Sequence, residues 1–142
     1  MARKQYKWIH KLINRITKSG QSDNDHFFYY GYEITLMSGT RDYVSVLIQK
    51  PRVDGWKDNL ADFSFDYWTK ELAFDNYKDY NLRNAIISSF KKLYCGIKID
   101  YDYPWESEKK SLEQFLGNEN WDQDDINKQL EKLEKYNPSK LL

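Results

Sequence analysis

Apolar and polar residues alternate with a period of two at 32–36, where Tyr32, Ile34 and Leu36 are separated by Glu33 and Thr35. Val44, Val46 and Ile48 answer them beyond Ser38-Gly39-Thr40-Arg41-Asp42. The pattern predicts a two-stranded antiparallel hairpin within residues 27–50. Two strands alone are marginal in water, so other elements must cover their apolar face.

Upstream, Tyr6, Ile9, Leu12, Ile13 and Ile16 recur at three- and four-residue spacing, predicting an amphipathic helix over residues 3–18 stopped by Ser19-Gly20. Downstream, Ala61, Phe63, Phe65 and Tyr67 alternate with Asp62, Ser64 and Asp66 as a third strand, and residues 69–80 read mostly as loop. A helix follows over residues 82–95, with Leu82, Ile86, Phe90 and Leu93 on one face, Asp79 or Asn81 as its cap and Gly96 closing it. Ile97, Ile99, Tyr101 and Tyr103 alternate with Lys98, Asp100 and Asp102 as a fourth strand that Pro104 ends, which suits an edge. Two helices complete the chain, over 107–116 and over 124–136, the second capped by Asp122 and carrying Ile126, Leu130 and Leu133.

The order α-β-β-β-α-β-α-α predicts an α+β fold: a mainly antiparallel sheet of about four strands, helices on one face and a helical C-terminal third. At 142 residues a single domain, 1–142, is the simplest division, with 136–142 as a loose tail. The apolar fraction is a lean 40%, but 12 Tyr, 7 Phe and 5 Trp mean that large rings with polar tips must supply much of the core.

Charge changes the picture through its distribution. The 22 basic and 22 acidic residues cancel, yet residues 1–20 contain no acid. Lys4, Lys7, Lys11, Arg15 and Lys18 form one stripe of the first helix, opposite its apolar stripe. Solvated surface helices have this appearance; the functional alternative is a basic face for nucleic acid, anionic lipid or an acidic partner, the first in a nucleic-acid-binding accessory protein.

The inventory of catalytic groups is thin. His10 and His26 are the only imidazoles, and Cys95 lies near a helix C-terminus, where the dipole opposes a thiolate and packing is the expected role. Asp23, Asp25 and His26 lack the spacing of a metal site, and no phosphate loop or nucleophile elbow is present. Asp100 and Asp102 on one strand face, followed by Glu106, Glu108 and Lys110, could be drawn as a divalent-metal nuclease, but Pro104 separates the acids from the helix start that explains the rest. No enzyme activity, cofactor or resident metal is expected. The lone cysteine and the lack of a signal-type or membrane-spanning apolar run, which would need roughly 20 residues, point to a cytoplasmic protein.

The remaining signal is the interleaving of acids with large rings: Asp66, Trp68, Asp100, Asp102, Tyr103, Trp105 and Glu106. Tyr and Trp concentrate at interface centres, and acidic rims speed encounter with basic partners. The expectation is a small protein-binding module of the inhibitor or immunity type, of bacterial or phage origin, whose partner could be a basic nucleic-acid-binding protein.

Overall fold

A computed structural model describes residues 6–18, 26–40 and 42–142. The chain forms α1 (Lys7–Lys18), β1 (His26–Tyr29), β2 (Tyr32–Thr40), β3 (Tyr43–Pro51), β4 (Lys57–Asp66) and β5 (Glu71–Tyr77). It continues through α2 (Tyr80–Leu93), β6 (Lys98–Asp102), α3 (Tyr103–Glu113), α4 (Gln123–Glu134) and a 3-10 turn, Pro138–Leu141. The fold is α+β, and the sheet is larger and more mixed than the sequence pattern predicts. Six strands stand in the order β1-β2-β3-β4-β5-β6; neighbours from β1 to β5 are antiparallel, whereas β6 lies parallel to β5. A parallel neighbour requires a crossover, and α2 provides it.

The expected hairpin forms in the expected register, with Ile34 opposite Ile48 and Leu36 opposite Val46. One face of the sheet receives both α1 and α2. Ile9, Leu12, Ile13 and Ile16 of α1 and Leu82, Ile86, Ile87 and Phe90 of α2 are buried on it. Phe63, Phe65 and Phe74 fill the layer between, and Phe65 stacks on Phe90 with ring centroids 4.4 Å apart. At the β1 edge Trp8 stacks on Tyr32 at 4.3 Å, and the Arg15 guanidinium lies 4.2 Å above the Phe27 ring. Asp79 caps α2 by accepting from Leu82 N and also accepts the Tyr6 hydroxyl, tying the start of α1 to the start of α2.

The last third is anchored by a polar cluster. Arg83 and Asp102 are sealed in the interior, with Arg83 Nη1 3.1 Å from Asp102 Oδ2. Asp102 Oδ1 accepts the Tyr77 hydroxyl at 2.8 Å and caps α3 through Trp105 N. Asn84 Oδ1 accepts from Arg83 Nε and Nη2, and the guanidinium lies 4.7 Å over the Tyr80 ring. Tyr80 donates to Glu108 and stacks on Tyr136, while the Trp105 indole N–H donates to the Leu133 carbonyl. Ile126 and Leu133 are buried where α4 packs on α3. The expected loose tail is docked instead: Pro138 is buried, Leu141 packs on the core, and Lys91 donates to the Leu141 carbonyl.

Removing one partner of a buried ion pair strands the other charge. Arg83→Met and Asp102→Leu are each expected to cost about 3–5 kcal/mol in urea unfolding. The double variant should lose at least about 1 kcal/mol less than the sum of the two.

Candidate functional site

Helices cover one face of the sheet and leave the other open. Strand register arranges the open face in rows. Thr35, Leu47, Asp62 and Asn76 form one row; Met37, Ser45, Ser64, Ala73 and Tyr101 form the next; Tyr43, Asp66, Glu71 and Lys98 form the third. The middle row is small at its centre, and Ser64 and Ala73 are buried there. Larger side chains stand on the same face, Met37, Tyr43 and Tyr101 around this depression and Phe28 two rows away on the edge strand β1. Phe28, Met37, Tyr43 and Tyr101 are all exposed on this face, at 63%, 57%, 40% and 37%.

Its charge is predominantly negative. Asp75, at the bulge where β5 slips against β4, accepts the Tyr101 hydroxyl at 2.9 Å, which pushes that phenol up to about 12. Burial and the nearby Asp75 charge raise the Asp62 carboxyl above its ordinary range. Asp66 is turned into the β4–β5 turn, accepting from Trp68 N and Thr69 N. Among the described residues no ion pair neutralises Asp62, Asp66 or Asp75. Lys57, toward the β1 end, is spent on Glu33, with its Nζ 2.8 Å from Oε2; His26 bonds the same carboxylate. Lys57 and His26 together hold Glu33 below the usual carboxylate range. Lys98, across from Glu71, is the one cation of the third row.

The residues singled out by sequence separate into surface and interior. Trp68 is 82% exposed and Tyr103 64% exposed, and Asp100 and Glu106 also face solvent. Asp102 and Trp105 do not belong with them: Asp102 is paired with Arg83, and Trp105 is packed under Leu133. Nor do Asp100 and Asp102 share a strand face. Ile99 and Tyr101 pair with the consecutive residues Leu72 and Ala73, so Asp100 is an extra residue that resets the alternation. Tyr101 therefore faces the open side and Asp102 the core, which also removes Asp102 from any nuclease constellation. Trp68 precedes β5, beside the start of β6, and Tyr103 follows the end of β6. The five residues of β6 hold them roughly 16 Å apart at about 3.3 Å per residue. Tyr103 and Glu106 instead line a shallow depression of ≈ 350 Å³ on α3 with Lys110.

The basic stripe is divided as well. Lys7, Lys11, Arg15 and Lys18 are exposed, but Arg15 lies over Phe27; Lys4, Asp23 and Asp25 fall outside the described residues. Cys95, expected to pack, is exposed beyond α2 because Tyr94 takes the position against the core. Among the described residues no group of three or more His, Cys, Asp or Glu is placed to hold a metal ion, and no helix is long and apolar enough to cross a membrane. Sequence reasoning passed over Tyr43, Asp62, Asp75 and Tyr101 as site residues. Their signal was present in the polar half of each alternating strand, hidden at β5 and β6 by bulges.

The two perturbed carboxylates should respond oppositely to pH. A depressed folded-state pKa stabilises the fold above the unfolded value, and the gain disappears as pH falls through the folded value; a raised one costs stability once pH exceeds the unfolded value. Urea midpoints should therefore fall less steeply on acidification in Glu33→Gln than in wild type. Asp62→Asn should raise the thermal midpoint at pH 7, by an amount that shrinks as the solution is acidified and the wild-type carboxyl takes up its proton.

Compared with protein-family models, with curated proteins and with solved structures, the chain has no significant match.

Proposed function

We propose that the protein acts without catalysis, by docking the open face of its sheet onto a basic protein. The observation that carries this reading is a rigid, helix-backed surface on which exposed rings surround carboxylates that no cation neutralises among the described residues. Tyr43 and Tyr101 would supply the anchoring area, since aromatic side chains on a fixed scaffold bring large contact at small entropic cost. Asp62, Asp66 and Asp75, with Asp100 and Trp68 at the margin, would meet lysines or arginines and draw the partner in. A module of this kind inhibits by occupying a basic surface that another molecule needs.

The test compares what immobilised wild-type protein retains from a lysate with what two variants retain. Tyr43→Ala combined with Asp75→Asn and Tyr101→Ala should lose the retained protein, with affinity at least about 10-fold weaker once the partner is purified. Lys91→Ala with Lys92→Ala, on the opposite side of the molecule, should keep it, and association should slow as salt rises. An identical retained set for all three proteins overturns the reading.

A further inference from the structure

On the side away from the open sheet face, α1 and α2 lie together and enclose between them an open groove of ≈ 930 Å³. Its basic groups come from both helices: Lys7, His10 and Lys11 from α1, Lys91 and Lys92 from α2. Among the described residues no carboxylate lines it. The amides of Asn81 and Asn84 and the hydroxyl of Ser88 add neutral polar groups. From Asn81 to Lys92 the groove follows α2 for roughly 16 Å, at 1.5 Å per residue. None of the four lysines forms an ion pair among the described residues; Lys91 donates to the Leu141 carbonyl, which leaves its charge in place.

We infer that this two-helix groove binds the sugar–phosphate backbone of a nucleic acid. The site is independent of the proposed role of the sheet face and lies on different elements. Three features select the occupant. A long concave channel with cations from both helices fits a chain of regularly spaced anions better than a single anionic group. Lysine, asparagine and serine are the side chains that contact phosphate and sugar. A membrane surface is disfavoured because insertion needs outward apolar residues beside the lysines, and Ile9, Leu12 and Ile13 of α1 are sealed against the sheet. Two aromatic rings line the groove among the described residues, Tyr6, whose hydroxyl is held by Asp79, and the half-buried His10; neither is one of the large exposed rings of a stacking platform, so recognition is of backbone without sequence. Only part of the basic stripe legible in α1 takes part. Arg15 is laid over Phe27, and Lys91 and Lys92 complete the groove.

Fluorescence anisotropy of labelled 30-nucleotide single-stranded DNA and of a 30-base-pair duplex, titrated with the full chain at several salt concentrations, tests this. With four lysines engaged, log K should fall against log salt with a slope of about −3.6 for duplex or about −2.8 for single strand, and the tighter arm at a given salt concentration identifies the form preferred. Lys91→Ala with Lys92→Ala should flatten the slope by about 1.8 for duplex or about 1.4 for single strand. Asp62→Asn with Asp75→Asn should not reduce binding. Three results overturn the inference: absence of salt-sensitive binding, an unchanged slope in the α2 double variant, or equal competition by polyglutamate, which would assign the groove to an acidic polypeptide.

Discussion

Four elements of this fold meet at one buried ion pair. Arg83 reaches Asp102 from α2, Tyr77 reaches it from β5, Asp102 ends β6, and the same carboxylate starts α3. Burying two charges costs several kcal/mol per ion before any compensation, and a pair in isolation often fails to recover it. Here every guanidinium nitrogen and both carboxylate oxygens have a hydrogen-bond partner. Arg83 gives three hydrogen bonds, to Asp102 and Asn84, and rests on the Tyr80 ring; Asp102 accepts from Arg83, Tyr77 and Trp105. An apolar pair of similar volume could match the stability. It could not impose the same geometry, because only a partner at a fixed place satisfies a buried charge. The pair thereby sets where β6 stops, and with it which way Tyr101 faces.

That dependence explains what the amino-acid pattern revealed and what it hid. Ile34, Leu36, Val46 and Ile48 lie in an unbroken two-residue rhythm, so their hairpin and its register were legible. So were α1 and α2, whose apolar positions repeat at helical spacing without interruption. The missed strands fail for local reasons. β1 joins β2 through Tyr30 and Gly31, both at positive φ, and a tyrosine there carries no turn signature. β5 is entered through Lys70, also at positive φ, and its rhythm is broken at Asp75 by a bulge. In β6 the extra residue Asp100 reverses the sides, so a reading by strict alternation placed Asp102 outside and Tyr101 inside. Arg83 carries no local signal of burial, because its charged partner lies nineteen positions away.

The candidate site was correspondingly half legible. Of the interleaved acids and rings, Trp68, Asp100, Tyr103 and Glu106 are exposed, whereas Asp102 and Trp105 are buried. The inference failed where it treated neighbours in sequence as neighbours on a surface. Asp100 to Glu106 passes from a bulged edge strand into a capped helix, and over those residues the chain crosses from solvent to core and back. The surface that the sheet does present is assembled across strands, from Tyr43, Asp62, Asp75 and Tyr101, in a register that only pairing reveals.

Zero net charge also conceals two opposed surfaces. The helix layer carries Lys7, Lys11, Lys91 and Lys92 on one side, while the sheet carries Asp62, Asp66 and Asp75 on the other. A helix layer packed on a sheet separates its two outer surfaces by roughly 15–20 Å, from a helix diameter of about 10–12 Å and the thickness of the sheet beneath it. The Debye length at physiological salt is about 8 Å. Each surface therefore presents its own field to an approaching partner, little weakened by the other. A balanced total therefore does not forecast weak electrostatics, because charges of opposite sign gathered on different layers of a fold act over shorter distances than the one that separates them.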